Sequence, residues 1–126
     1  AVADDRGVPI RALPTHLSPE HAADEIAAHL ASDMAGIDGI FAASDMLAIA
    51  CMTELQKRGI DVPGGMKLVG FDDLPIASQT RPALTTIRQD IAAGAARLAD
   101  LLLRRMGGEN TASVVLPPEL VGRQTA

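Results

Sequence analysis

Gly39-Ile-Phe-Ala-Ala-Ser-Asp-Met-Leu-Ala-Ile-Ala-Cys-Met52 is the stretch whose reading decides the fold. Residues 39–43 form a short, continuous apolar run, the pattern of a strand covered on both faces in a parallel sheet. Ser44-Asp45 follows at once, and side-chain oxygens of these types accept from the orphan N–H groups at a helix start. The apolar run 46–52 then continues into a predicted helix over residues 46–58, closed by Gly59 and the later Pro63. A strand that runs directly into a capped helix is the building unit of an α/β sheet.

Working outward, the same unit recurs. Upstream, residues 8–13 are expected to form a strand. Ser18-Pro19-Glu20 supplies an N-cap, a proline at the first helical position and an acid in the first turn, so a helix is expected to run to about Met34. Its apolar residues Ala22, Ile26 and Leu30 lie on one helical face, and Gly36 can end it. Downstream, Met66-Lys-Leu-Val-Gly-Phe71 is a second strand ending at Asp72-Asp73. Residues 74–81 read as a helical turn or loop, and residues 83–87 as a further strand. Asp90 caps a long helix with the stripe Ile91, Ala95, Leu98, Leu102, Met106, stopped by Gly107-Gly108. The tail carries two short extended segments, residues 113–116 and 119–122. The opening Ala1-Val-Ala-Asp-Asp-Arg-Gly7 reads like the end of a helix, so the chain is expected to be a piece of a longer protein.

The whole-chain numbers exclude several classes. With 126 residues and 48% apolar composition the chain can bury one core. A formal charge of −5, with eight acids against two bases in residues 1–45, is the wrong sign for neutralising phosphates, so this chain alone should not bind DNA. The single cysteine, Cys51, excludes an intramolecular disulfide and any multi-cysteine metal site, which fits a reducing cytoplasm. No stretch approaches the roughly 18 apolar residues of a membrane span, and residues 1–15 lack the basic start and apolar centre of a signal peptide.

In an open parallel sheet, ligands bind outside the carboxyl ends of the strands. Ser44-Asp45 and Asp72-Asp73 fall at two such ends. Carboxylates accept through two oxygens and hydroxyls both donate and accept, so these pairs suit a ligand rich in hydroxyl or amide groups, such as a sugar or nucleoside. The plainer reading stays open: Ser44 or Asp45 caps the next helix, and Asp72 and Asp73 begin a turn. Neighbouring aspartates on an extended segment face opposite ways, which disfavours shared acid-base or Mg²⁺ chemistry. The helix opening at Met46 has no polar face, which implies cover on both sides, either by a second subunit or by burial at the centre of the fold. His16, His21 and His29 have no spacing that completes a metal site. No phosphate loop, zinc signature or Ser-His-Asp arrangement is present. No cofactor, no metal and no catalysis are expected.

Five blocks in register now carry a resemblance: Ile40-Phe-Ala-Ala-Ser-Asp-Met-Leu-Ala-Ile49, Gly59-Ile-Asp-Val-Pro63, Leu68-Val-Gly-Phe-Asp-Asp73, Pro82-Ala-Leu-Thr-Thr-Ile-Arg-Gln89 and Leu116-Pro-Pro-Glu-Leu-Val-Gly-Arg-Gln-Thr125. Their order and spacing resemble the LacI/GalR family of bacterial transcription regulators over nearly everything after residue 36. The resemblance implies a periplasmic-binding-protein-like, three-layer αβα effector domain, of which residues 1–126 would be the C-terminal portion, mainly the second lobe. The helix-turn-helix DNA-binding module and most of the first lobe would lie outside this chain. It further implies a cytoplasmic homodimer that senses a sugar, polyol or nucleoside-like effector and modulates DNA binding.

Carried over position by position, Ser44 and Asp72 resemble effector contacts, Gln89 a residue near the cleft, and Leu17 the place where many relatives carry a stacking ring. Ser in place of the family's usual Asn at 44, and Leu in place of an aromatic at 17, depart from the pattern and point away from a common hexose. The helix from Met46 and the loop 74–81 resemble the dimer contact, with Met46, Ile49, Ala50, Leu74 and Ala77 as its residues. Because the helix after Asp90 packs on the first lobe in relatives, its stripe here would need other cover: folding back, self-association, or exchange with another copy. Two competing readings are a secreted sugar-binding protein of a transport system and an α/β enzyme using Asp72 and Asp73.

Overall fold

The computed structural model describes residues 7–16, 19–32 and 34–126. In chain order the elements are α1 (Pro19–Ala31), β1 (Gly39–Phe41), α2 (Asp45–Lys57), β2 (Lys67–Phe71), a 3₁₀ turn (Pro75–Ser78), β3 (Thr85–Arg88), α3 (Ile91–Met106) and β4 (Glu119–Val121). They build one four-stranded sheet in the order β1-β2-β3-β4. The first three strands run parallel, with Phe41 opposite Val69 and Phe71 opposite Ile87. β4 returns antiparallel along β3, pairing Ile87 with Leu120.

The expected stripe of α1 is the stripe that packs. Ala22, Ile26 and Leu30 are buried in one core with Leu47, Ala48, Cys51, Met52 and Leu55 of α2, Leu68 of β2 and Leu84 just ahead of β3. α2 is therefore covered on two sides inside its own chain, by α1 and by the sheet, which is the central-helix reading of its apolar opening. Its ends also follow the sequence: Ser44 is the N-cap, and Gly59 sits at φ 70° just past the C-cap residue, a conformation that costs glycine little.

The far end of the chain is stitched into the middle of the sheet. Thr125 accepts from the amide of Leu68 through its carbonyl (2.8 Å) and donates from its hydroxyl to the Leu68 carbonyl (2.7 Å). Its hydroxyl oxygen also accepts from the Thr85 amide at 2.8 Å. The side chain is wholly buried, so its polar groups are satisfied where water cannot reach.

Four expectations are changed or sharpened. Residues 8–13 form no strand; they are exposed, and Pro9 and Pro14 deprive the segment of ladder donors. β1 is covered on one face only, with Phe41 62% exposed on the other. In the tail only Glu119–Val121 pairs, while residues 113–116 stay outside the sheet. Finally, α3 is capped as expected, the Asp90 carboxylate accepting from the Ala93 amide at 2.8 Å, yet it buries none of its residues. The stripe is not folded back onto its own chain: Leu98 is 70% exposed.

Candidate functional site

Because β1, β2 and β3 are adjacent and parallel, their carboxyl ends share one rim of the sheet. Ser44, Asp72 and Gln89 each follow one of these strands, and the register is held to its end by the Ala42 amide on the Val69 carbonyl (2.9 Å) and the Asp72 amide on the Ile87 carbonyl (2.9 Å). The three sequence-derived candidates thus stand along one edge. Leu17 lies outside the described residues.

Four aspartates crowd this rim, and their partners separate their roles. Asp45 is fully buried; its Oδ2 accepts from the Leu74 amide (2.7 Å) and its Oδ1 from the Thr86 hydroxyl (2.5 Å). Gly70 makes room for it, since a Cβ at that position would collide with Asp45 Oδ1. Asp45 is therefore an internal tie between the start of α2, the loop after β2, and β3. Asp90 is committed to capping α3. Asp73 Oδ1 accepts from Arg123 Nη2 (2.5 Å) and its Oδ2 from Arg88 Nε (2.7 Å). Those guanidinium groups, Arg123 foremost, hold the Asp73 carboxyl below the usual aspartate range. Only the Asp72 carboxylate makes no hydrogen bond or ion pair among the described residues, and it is exposed.

Asp72 and Asp73 do not lie on an extended segment, as expected from sequence. Both sit at positive φ, 106° and 53°. Such conformations cost about 1–3 kcal/mol each, less for Asp than for most residues because it tolerates the left-handed region. The two side chains diverge because the chain turns sharply here, and the turn reading of the pair is the one the backbone follows.

The remaining rim groups offer a mixed donor and acceptor set. Ser44 Oγ accepts from the Leu47 amide at 3.2 Å, which makes it the helix cap while leaving its hydroxyl proton to donate. The Gln89 amide side chain is uncommitted among the described residues and can do both. Gln89 and Phe71 also line an open cleft of about 420 Å³ with Ile91, Leu98, Leu116 and Pro118, whereas Ser44 and Asp72 do not. Phe71 meets Phe41 edge to face, ring centroids 6.4 Å apart. The strand ends thus combine a polar rim with an apolar flank.

Of the expected dimer contacts, Met46 and Leu74 are exposed and Ile49 and Ala50 partly buried. Ala77 is corrected: it is wholly buried in the core, because the 3₁₀ turn folds it inward and its carbonyl accepts from the Leu84 amide at 2.8 Å. Ile76, beside it, is the residue exposed there. His16 pairs with Glu25 (2.5 Å), whose carboxyl is lowered chiefly by the His16 backbone N–H. His29 reaches the Pro14 carbonyl at 3.1 Å. Among the described residues no group of His, Cys, Asp and Glu side chains could hold a metal ion.

Sequence reasoning did not foresee the Asp73–Arg88–Arg123 cluster or the Asp45–Leu74–Thr86 tie. Their hydrogen-bonded pairs lie 15 to 50 positions apart along the chain. The one available signal was that Arg123 falls inside a recognisable block.

Comparison with known proteins agrees with this fold. The family model for the periplasmic binding protein-like domain matches residues 1–126. The transcriptional regulator GalS of Salmonella typhimurium is 37% identical over 91 residues, 71% of this chain and 27% of that protein. The lactose operon repressor of Rhizobium radiobacter is 34% identical over 71% of this chain and 80% of the compared sequence. Among solved structures, the regulator CelR in complex with cellobiose aligns over 98% of this chain and 39% of its own, at 26% identity and a TM-score of 0.82. A LacI family regulator from Enterococcus faecium with bound ribose aligns over 98% and 47%, at 27% identity and 0.79. The chain therefore spans only about a quarter of the length of regulators such as GalS. No helix among the described residues is long and apolar enough to cross a membrane. These relatives are regulators of transcription, which lends no support to the reading of Asp72 and Asp73 as a catalytic pair. By sequence blocks, sheet topology and relatives together, this chain belongs to the periplasmic-binding-protein-like domain family, in the form carried by LacI/GalR-type transcription regulators.

Proposed function

We propose that this chain is the C-terminal portion of the effector-binding domain of a cytoplasmic, homodimeric regulator, and that a small polar effector docks on its rim through Ser44, Asp72 and Gln89. The carrying observation is selective commitment. Asp45 and Asp73 spend both oxygens on the fold and Asp90 spends one on its helix cap, while Asp72, on the same edge, keeps both free. Two free carboxylate oxygens suit two neighbouring hydroxyls of a sugar or polyol, and the spare Ser44 proton and the Gln89 amide suit further oxygens. The cellobiose and ribose carried by two structural relatives are of that chemistry. A nucleoside, through its ribose, falls within the same class.

Effector binding would close a cleft and shift an equilibrium between two dimer arrangements, by no more than its differential affinity for them. DNA would be reached through a module outside this chain. Exposed Met46, Leu74 and Ile76, with Ile49 and Ala50 behind them, form the surface offered to a second subunit. Regulators among the relatives favour this reading over a transport protein.

A thermal-shift screen of sugars, polyols and nucleosides on the full-length protein tests it. At least one compound should raise the melting temperature. A charged hydrogen bond contributes about 1.5–3 kcal/mol, so Asp72→Ala should weaken that compound roughly tenfold or more, and Ser44→Ala by less. Undiminished stabilisation in both variants would show that the effector binds elsewhere.

A further inference from the structure

We infer that Asp73 is a positioning residue: clamped by Arg88 and Arg123, it holds the left-handed turn that presents the Asp72 carboxylate on the rim, without touching the effector itself. The inference rests on the reading of Asp72 as an effector contact. Two consecutive non-glycine residues at φ 106° and 53° are not a conformation the chain keeps unaided, and strain of this kind collects at ligand clamps. Something must over-determine the turn, and the rim shows what does.

Both Asp73 oxygens are occupied, by Arg123 Nη2 at 2.5 Å and by Arg88 Nε and Nη2 at 2.7 Å, and its side chain is only 9% exposed. Little of the side chain is left exposed to a ligand. Arg123 is itself fixed to the sheet: Nη1 donates to the Leu84 carbonyl (2.8 Å) and its backbone amide to Thr85 Oγ1 (2.9 Å). The clamp therefore fastens the loop after β2 to the sheet at β3, from a residue beyond β4. On the other side of the turn, Asp45 fixes the Leu74 amide at 2.7 Å. Immediately ahead of these two braces in the chain stands Asp72, tied through its backbone to Ile87 and free at its side chain. Charge-assisted bonds on both oxygens are the strong, directional kind that can set a backbone angle.

The test uses the full-length protein and two readouts: hydrogen exchange of the segment spanning residues 71–76, and affinity for D-ribose, D-galactose and cellobiose. Asp73→Ala should speed exchange at least tenfold and weaken the bound sugar at least tenfold. Asp73→Asn, which tolerates the left-handed region and still accepts from an arginine, should recover most of both. Asp73→Gly separates the clamp from backbone preference, because glycine adopts positive φ freely; it should behave like Ala. Arg88→Gln removes one half-exposed arm and should give a smaller change of the same sign, which guards against misfolding of the Asp73 variants. Asp100→Ala, at an ion pair on α3, should change neither readout.

Protected exchange in Asp73→Gly, or faster exchange with unchanged affinity, overturns the inference. If Asp72→Ala binds them as the parent does, the effector reading fails by itself, and if none of the three sugars binds, those three are excluded as the effector. The exchange comparison then still decides whether the clamp holds the turn.

Discussion

Helix α2 starts at Ser44 and helix α3 at Asp90, each with its cap side chain on the amide three residues on, yet α2 buries Leu47, Ala48, Cys51, Met52 and Leu55 while α3 buries nothing. On sequence grounds α3 is the more regular of the two, with a clean apolar stripe, and α2 the less regular, apolar nearly all round. The contrast teaches that periodicity records which face needs cover, while the rest of the chain decides whether cover exists. α1 and the sheet supply it for α2. Beside α3, Leu116 Cδ1 lies within 3.6 Å of where a Gly94 Cβ would be, and Phe71 lines the same open cleft, yet no α3 residue is buried. A buried leucine realises about 1.5–3 kcal/mol relative to an exposed one, so the same residue type should be worth very different amounts in the two helices.

Substitutions can break or sharpen that contrast. The largest effect is expected from Leu55→Ala in α2, where a wholly buried side chain is removed: about 2–5 kcal/mol by chemical denaturation. Next comes Asp45→Ala at the start of the same helix. It strands the Leu74 amide and the Thr86 hydroxyl, and should cost about 1–3 kcal/mol.

A smaller, pH-dependent effect belongs to Asp73. Its carboxyl is lowered, first by Arg123 and then by Arg88, so its ionised form stabilises the fold. That contribution is complete above the ordinary aspartate range and is lost as pH falls through the lowered value. Acid titration of the unfolding midpoint should therefore be steeper in the parent than in Asp73→Asn. The smallest effect is expected from Leu98→Ser in α3, within about 0.5 kcal/mol. A loss as large as that of Leu55→Ala would mean that α3 is covered after all, and sedimentation of the isolated chain would then show a second copy.

How far the site could be read from the chain follows the same division. Strand ends were legible because a continuous apolar run that stops at a polar pair marks where a covered strand leaves the sheet, and this placed Ser44 and Asp72 on one rim. Asp45 and Ser44 could not be told apart, since either can cap; the structure gives the cap to Ser44 and sends Asp45 into the core. Ala77 was misplaced because a four-residue 3₁₀ turn has no amphipathic period from which to read its inner side. Residues 8–13 have the apolar content of a strand, but the prolines at 9 and 14 outweigh it by removing the donors a ladder needs. The Asp73 clamp was invisible for a different reason: Arg123 lies 50 positions away, and only the antiparallel return of the tail along β3 brings it back.

Local chemistry by itself determined the alternation of strand and helix, the capped helix starts, the stripe of α1 and the rim where the strands stop. These depend on neighbours within a few residues, where propensity and periodicity act. Tertiary structure alone decided which of four aspartates stays free, which apolar face is covered, and how a strained pair at 72–73 is held. Each of those outcomes depends on groups distant in sequence, and a carboxylate's role is set by the partners that reach it rather than by its identity.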